Sequence, residues 1–571
     1  MTMTLPESAT DAQDWSWAQF QPFTAALIEQ ELTAETINDW MADWTRFNTF
    51  VSEIGSRNYV ALTVDTTDEA IKNRYLRFSS EIVPELQKVG DVLNRKLIDS
   101  GLTVSGMDVP LRGIKSEIAL FREENLPIEV QVRETETEHD EIKGAQTIEW
   151  DGEEKTVPQM NPVFMKKDRD TRKKAFNLIH ERQLEDRDAL NDLWVKLFKL
   201  RQEIAKNAGF DNFLEYTWQN YGRFDYSPED VQQFHQAIEE VCVPTAQRIY
   251  AKRQQRMGVD SLRPWDLQVD TLADEPLKPF EKGDELKRVS ASIFHQVDPE
   301  LGAYFDDMRE SALLDLDNRK GKAPGGYCID YAYTKKPFIF MNSVGIHQDV
   351  QTMLHEAGHA FHAYAAFEQP FAQQQDPPIE FCEVASMAME LLAAPYLTAD
   401  KGGFYTESEA ARARIEHLEG NILFWNYMAV VDAFQQWAYT SGDAALDPAA
   451  CDAQWIAIWN RFMTGVDYSG LEDWVATGWH RKMHIYTVPL YYIEYGIAQL
   501  GAVQVFANSL KNHQSALTQY RSGLALGNTA TLPDLFAATG AKLAFDSATL
   551  SDAVTLMEKT IDDLEASLNQ K

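Results

Sequence analysis

The run Asp349-Val350-Gln351-Thr352-Met353-Leu354-His355-Glu356-Ala357-Gly358-His359-Ala360-Phe361-His362 restricts this chain more than any other stretch, because its histidines can act together only on a helix. Asp349 is a good N-cap, and Val350, Met353, Leu354, Ala357 and Phe361 recur at spacings of three and four, which predicts a helix with one apolar face. His355 and His359 are then neighbours. At an (i, i+4) separation their Cβ atoms lie about 5–6 Å apart, close enough for both imidazoles to meet one ion at about 2.0–2.1 Å. Glu356, one step round, stands beside the ion's open position, where it can take a proton from water. His-Glu-x-x-His therefore points to metal-assisted hydrolysis.

A catalytic zinc site needs three protein ligands, so a second element must supply one more. After the polar stretch Gln373 to Asp376, Pro377 and Pro378 mark a helix start, and Ile379-Glu380-Phe381-Cys382-Glu383-Val384-Ala385-Ser386-Met387-Ala388-Met389-Glu390 follows. Glu380, Glu383 and Glu390 compete for the role. Glu383 and Glu390 are seven apart on one face, so one can bind metal while the other orients a ligand. Glu380 sits near the helix start, where stabilising the helix dipole is its simpler role.

These residues resemble the glutamate-zincin pattern of the thimet oligopeptidase and oligoendopeptidase F family, which includes the Pz peptidases. His355-Glu356-Ala357-Gly358-His359 carries the resemblance, with Phe381-Cys382-Glu383-Val384-Ala385-Ser386 similar to the segment that gives the third ligand. The resemblance implies Glu383 as that ligand and one Zn²⁺ per chain. It extends through Gly321-Lys322-Ala323-Pro324-Gly325-Gly326-Tyr327-Cys328 and Pro337-Phe338-Ile339-Phe340-Met341-Asn342, and on to about Tyr495. Weaker similarity at Gly144-Ala145-Gln146-Thr147-Ile148-Glu149-Trp150 points to the oligoendopeptidase F branch. The implied fold is mainly α, a two-lobed helical metallopeptidase with a deep central channel and a small β-sheet beside the zinc-binding helix.

At 571 residues the chain exceeds what one core usually supports. The expected division is a mostly helical lobe with a small β-hairpin over 1–205 and a catalytic lobe over 206–571. The first residues, Met1 to Trp15, lack the apolar run of a signal peptide, and no stretch reaches the roughly eighteen apolar residues of a membrane span. Four scattered cysteines form no disulfide framework, which suits the cytoplasm. A net charge of −35 argues against nucleic acid or an anionic membrane as partner.

In chain order, the pattern predicts helices near Phe20–Glu31, Ala34–Glu53, Asp68–Asp99 with a break at Pro84, and Arg112–Glu124; Trp40, Trp44, Phe47 and Phe50 at helical spacing read as core. Ile128-Glu129-Val130-Gln131-Val132 alternates like a strand, and Thr147–Trp150 joined through Asp151-Gly152 to Lys155–Val157 reads as a hairpin. Helices resume from Asp168 to Ala208, and Ser227 with Pro228 opens another that runs to about Gly258. Gly325–Ile329 and Pro337–Asn342 read as adjacent strands. By resemblance, the peptide backbone pairs with the strand edge beside the metal helix, and Gly325 and Gly326 allow its close approach.

The last informative stretch is Lys482-Met483-His484-Ile485-Tyr486-Thr487-Val488-Pro489-Leu490-Tyr491-Tyr492-Ile493-Glu494-Tyr495. Peptide hydrolysis builds charge on the carbonyl oxygen, and a phenol or imidazole aimed there stabilises it. The family pattern, and the similar run of angiotensin-converting enzyme, imply His484 and Tyr495 as those donors and Tyr492 as a contact to peptide backbone or terminus. Two extra residues, Leu490 and Tyr491, follow the proline here, so Tyr491 competes with Tyr492. His480 and His362 read as helix-surface residues or as supports behind the ligands. The expected activity is zinc-dependent hydrolysis of internal bonds in short unfolded peptides, with Glu356 as base and Glu390 orienting a ligand histidine. A zinc carboxypeptidase or peptidyl-dipeptidase, and a helical peptide-binding protein with structural zinc, are the competing readings.

Overall fold

The computed structural model describes residues 5–323 and 325–569, so Pro324 of the glycine-rich motif and Met1 to Thr4 lie outside the described residues. The protein is mainly helical, with one two-stranded and one three-stranded sheet. It divides into two compact units, each built from three chain segments: Met1–Phe121, Leu277–Ala413 and Ile497–Leu543 in one, Arg122–Pro276, Arg414–Gly496 and Ala544–Lys571 in the other. These units interleave in sequence and so differ from the contiguous 1–205 and 206–571 division. The helix Arg187–Asn207 runs straight through the 205/206 boundary.

In the first unit, helices Trp17–Glu29, Ile37–Val64, Glu69–Arg77, Val83–Ser100 and Pro110–Leu120 surround an aromatic core. Trp40, Trp44, Phe47 and Phe50 are all buried there, as their helical spacing requires. The break near Pro84 is a π-helical turn, Phe78–Ile82, which leads into the helix that carries the proline near its start. The second segment brings strands β3 (Leu314–Asp317), β4 (Tyr327–Tyr331) and β5 (Lys336–Ser343), which together with β1 (Thr147–Trp150) and β2 (Glu153–Thr156) of the second unit make all five strands of the described residues. β5 is central, parallel to β3 and antiparallel to β4, with Cys328 opposite Ile339. β4 is therefore an edge strand.

β5 feeds directly into the metal helix, His347–Ala366. That helix begins earlier than the sequence suggests, so Asp349 stands inside its first turn. Its Oδ2 accepts the backbone N–H groups of Val344, Gly345 and Ile346 at 2.8, 2.8 and 3.0 Å, closing the strand-to-helix turn. The helix Ile379–Ala393 packs against it.

In the second unit, the stretch expected to be helical from Asp168 to Ala208 is divided at Asp186 into the helices Arg169–Glu185 and Arg187–Asn207, and Pro228–Met257 starts where Ser227 and Pro228 place it, with a capping box between Ser227 and Asp230. β1 and β2 form the expected hairpin, with Asp151 and Gly152 both at positive φ (54° and 81°). Ile128–Val132 is not a strand but part of the helix Leu126–Gly144, where Ile128, Thr135 and His139 are the buried positions, at helical spacings of seven and four. Five alternating residues are too few to separate the two periods, and Pro127 in the first turn favours the helix.

Candidate metal centre and active site

His355 and His359 face the same way from consecutive turns of the metal helix, and Glu383 faces them from the helix Ile379–Ala393. The two Nε2 atoms are 3.3 Å apart, and Glu383 Oε2 lies 3.4 Å from His355 Nε2 and 3.6 Å from His359 Nε2. A tetrahedral ion with bonds of about 2.0–2.1 Å separates its ligands by roughly 3.3–3.4 Å. The spacing and the N₂O donor set therefore fit Zn²⁺, and among the described residues these three make the only such cluster.

Hydrogen bonding orients the ligands. His355 Nδ1 donates to Glu390 Oε1 at 2.7 Å, which turns Nε2 toward the other two donors. Burial acts to lower the His355 pKa, but hydrogen bonds with Glu383 and Glu390 overcome it and hold it well above the ordinary range, so without metal this ring carries a proton on Nε2 that a bound ion would displace. Burial pulls His359 down to about 4, so it is neutral and able to coordinate at pH 7. Burial alone would raise Glu383; the His359 and His355 rings outweigh it and keep the carboxylate ionised. Glu356 is 7% exposed, and burial pushes its carboxyl up to about 7, with the Cys328 backbone N–H of β4 pulling the other way. Glu356, the base that the sequence pattern implies, is thus both desolvated and beside the edge strand. Glu380, the third competing acid, is buried at the start of its helix and takes no part in the cluster.

Close helix packing sets these distances. A Cβ on Gly358 would lie 2.5 Å from Ser386 Cα and 2.8 Å from Ala385 O, so only glycine lets the helices approach this far. The Ser386 hydroxyl donates to Glu383 O at 3.0 Å and lies 3.2 Å from Glu383 Oε2, while Tyr520 Oη donates to Ala385 O at 2.8 Å. Beside β4, Gly325 and Gly326 are exposed; Gly325 has φ 99°, and Asn342 Nδ2 donates to its carbonyl at 2.9 Å.

His484, Tyr491, Tyr492 and Tyr495 belong to the second unit and form a cluster of their own. His484 lies 4.9 Å from Tyr492, 6.0 Å from Tyr495 and 6.3 Å from Tyr491, centroid to centroid, and Tyr491 and Tyr495 are 5.4 Å apart. The tyrosines do not share one helix with His484. A short helix, Met483–Thr487, ends before Pro489; Leu490 turns the chain at φ 64°; and a new helix starts at Ile493. The turn rests on buried polar contacts. Arg223 donates to Leu490 O at 2.7 Å and to Glu494 Oε1 at 2.9 Å, and Gln435 Oε1 accepts the Leu490 N–H at 2.8 Å. Tyr492 is buried, with Lys482 Nζ 4.0 Å from its ring centre, whereas Tyr491 and Tyr495 are partly open.

The model of peptidase family M3 matches residues 164–554. The chain belongs to peptidase family M3. Among curated relatives, Oligopeptidase PepF of Bacillus subtilis (strain 168) is 21% identical over 427 residues, covering 73% of this chain and 60% of its own length. The Oligoendopeptidase F homolog of Mycoplasma pneumoniae is 25% identical over 254 residues, 41% of this chain and 38% of its own. The chain thus spans less than two thirds of either relative. Among solved structures, that of Pz peptidase A with inhibitor 2 superposes with TM-score 0.88 at 27% identity, covering 98% of each chain. A structure assigned to oligoendopeptidase F gives TM-score 0.88 at 26% identity, covering 95% of this chain and 96% of that one.

Within this M3 peptidase chain, several positioning residues escape sequence reading. Gly358 carries a usable signal, since a glycine inside a helical pattern points to close backbone approach. Arg223 and Leu490 carry none, being an arginine and a leucine far apart in sequence. His362 and His480 are buried rather than on a helix surface: His362 packs on the Phe381 ring and His480 Nε2 pairs with Asn191 Oδ1 at 2.9 Å. All four cysteines are free thiols, and no helix among the described residues is long and apolar enough to cross a membrane.

Proposed function

We propose that the protein is a zinc-dependent endo-oligopeptidase that hydrolyses internal bonds of short unfolded peptides in the cytoplasm. The observation that carries this reading is the convergence of His355 Nε2, His359 Nε2 and Glu383 Oε2 at 3.3–3.6 Å, with Glu356 buried beside them. His355, His359 and Glu383 would hold one Zn²⁺ per chain. When bound, the ion supplies Lewis-acid chemistry, acidifying water and polarising a carbonyl.

Glu356 takes the proton of the attacking water and returns it to the leaving amine. Its carboxyl, buried beside the cluster, is placed for both transfers. Glu390 fixes the His355 ring by accepting its Nδ1 proton. The open edge of β4, with Gly325 and Gly326 at its start, offers main-chain groups to an extended peptide. By family resemblance, the His484 imidazole and the Tyr495 phenol donate to the developing oxyanion, with Tyr491 and Tyr492 as substrate contacts.

The test is cleavage of an internally quenched peptide blocked at both ends, by the zinc-loaded protein and by Glu356→Gln, with bound metal quantified in each. Cleavage by the wild type that falls by roughly 10²–10⁴-fold in a variant still holding one zinc supports the reading. Zinc bound with the blocked peptide intact, but an unblocked one cut from its C-terminus, would replace it with an exopeptidase.

A further inference from the structure

We propose that a cavity at the far end of β4 is a subsite for the free N-terminal residue of the substrate, taking its α-ammonium between Asp330 and Asp376 and its apolar side chain among the helices behind. The inference rests on the endo-oligopeptidase reading and, because the subsite lies about two residues along the edge from the base, adds to it a preference for bonds near a free N-terminus. The cavity belongs wholly to the first unit, has a volume of about 530 Å³, and is walled by Trp44, Phe47, Val51, Phe78, Leu86 and Leu93. That is the size and lining expected of a pocket for a small organic group. Phe78 comes from the π-helical turn, a departure from regular helix that recurs at functional sites.

Asp330 and Asp376 line the same cavity, and among the described residues no hydrogen bond or ion pair engages either carboxylate. Both are open to water, yet the surrounding protein desolvates them. Burial and the facing Asp376 charge push the Asp330 carboxyl up to about 7, and burial raises Asp376. Two uncompensated acids in an apolar setting are short of a cation.

The place of Asp330 decides which cation. It stands on β4, two residues beyond Cys328, whose backbone N–H acts on Glu356. At about 3.3 Å per residue the carboxylate lies roughly 7 Å along the edge from the base. A peptide paired with that edge therefore brings its main chain, and not the tip of a long side chain, past Asp330. The positive end of a peptide main chain is its N-terminus, so the acids also set direction: the N-terminus points toward Asp330 and the substrate runs antiparallel to β4. A peptide C-terminus would be repelled there.

The experiment compares two quenched peptides of one sequence, both amidated at the C-terminus, one beginning with free leucine and the other with acetyl-leucine. Zinc-loaded wild type, Asp330→Asn, Asp376→Asn and Gly90→Leu are assayed. Gly90 lines the cavity, and a Cβ there meets nothing within 4 Å, so the backbone admits a side chain at this position. Wild type is expected to favour the free amine by about tenfold in kcat/KM, mainly through KM, with the ratio falling toward one in both asparagine variants. Gly90→Leu is expected to remove the advantage of N-terminal leucine over N-terminal glycine. A wild-type ratio of one, a ratio that persists in both asparagine variants, or a preference that follows an internal lysine in the acetylated peptide would each overturn the assignment. Binding of both peptides to zinc-loaded Glu356→Gln, read by fluorescence anisotropy, separates the two claims: if nothing is cleaved, the activity reading fails, while the free-amine preference in Kd still decides this one.

Discussion

Around His355 and His359 two regular helices do the positioning, whereas around His484 and Tyr495 the chain is irregular and a buried ion pair holds it. In the first region the donors are set by helical spacing and by one close approach at Gly358. In the second, a cluster of four rings and a left-handed leucine are supported from outside by Arg223 and Glu494, whose side chains are fully buried. The difference separates two ways of building a site. The proposed metal cluster needs donor atoms fixed to tenths of an ångström, which rigid packed helices provide; the proposed donors to substrate need only be presented, which a well-anchored turn can do.

The comparison breaks most readily at Gly358. Gly358→Val drives Cβ into backbone rather than into a movable side chain, so the helices must separate; zinc affinity and peptidase activity are expected to fall by at least about 10²-fold, read by metal titration and by assay. If zinc binding survives, helix approach does not set the cluster.

On the other side, Arg223→Met leaves the Glu494 carboxylate buried without its guanidinium. A loss of about 3–5 kcal/mol in urea unfolding is expected, with Glu494→Leu restoring part of it in the double variant. Full stability in the single variant would show that the turn stands without its ion pair.

A smaller effect is expected at Glu390. Glu390→Gln retains an oxygen that accepts the His355 Nδ1 proton but removes the charge, so zinc affinity should weaken by about 10–100-fold while the fold stays intact by circular dichroism. Unchanged affinity would mean that geometry alone, without charge, orients the ring.

The smallest effect concerns acid. Burial depresses His480 to about 3, next to the turn that leads into the His484 segment. The folded state therefore binds fewer protons than the unfolded one, so the contribution is whole above the unfolded pKa of about 6.5 and is lost as pH falls toward 3. Between pH 6.5 and 5.5 the loss is roughly 1 kcal/mol. Urea midpoints at the two pH values, in wild type and His480→Gln, measure it; equal slopes in both proteins would remove His480 from the account.

Much of this was legible without coordinates. The cap at Ser227, the Asp151-Gly152 turn and the aromatic stripe from Trp40 to Phe50 are short-range patterns, and each formed where the pattern lies. Reading failed where the pattern was short or the determinant distant. Ile128–Val132 alternates over only five residues and joined a helix, and Asp349 caps the turn from inside the helix because β5 arrives so close to it. In the His484 stretch Leu490 separates two helices; a left-handed leucine is adopted because Arg223 and Gln435 hold both of its backbone groups.

The sequence by itself determined the chemistry of the proposed metal centre: two histidines and a glutamate on one helix, with acids at fixed steps on the next, because a helical repeat converts spacing into direction. Tertiary structure decided which acids do what. Glu383 meets the two imidazoles, Glu390 meets the back of one of them, and Glu380 meets neither, since the distance between two helices depends on what packs between them, and at Gly358 that is nothing. It alone also opened a cavity behind β4 and set Asp330 and Asp376 at it, residues that no repeat connects.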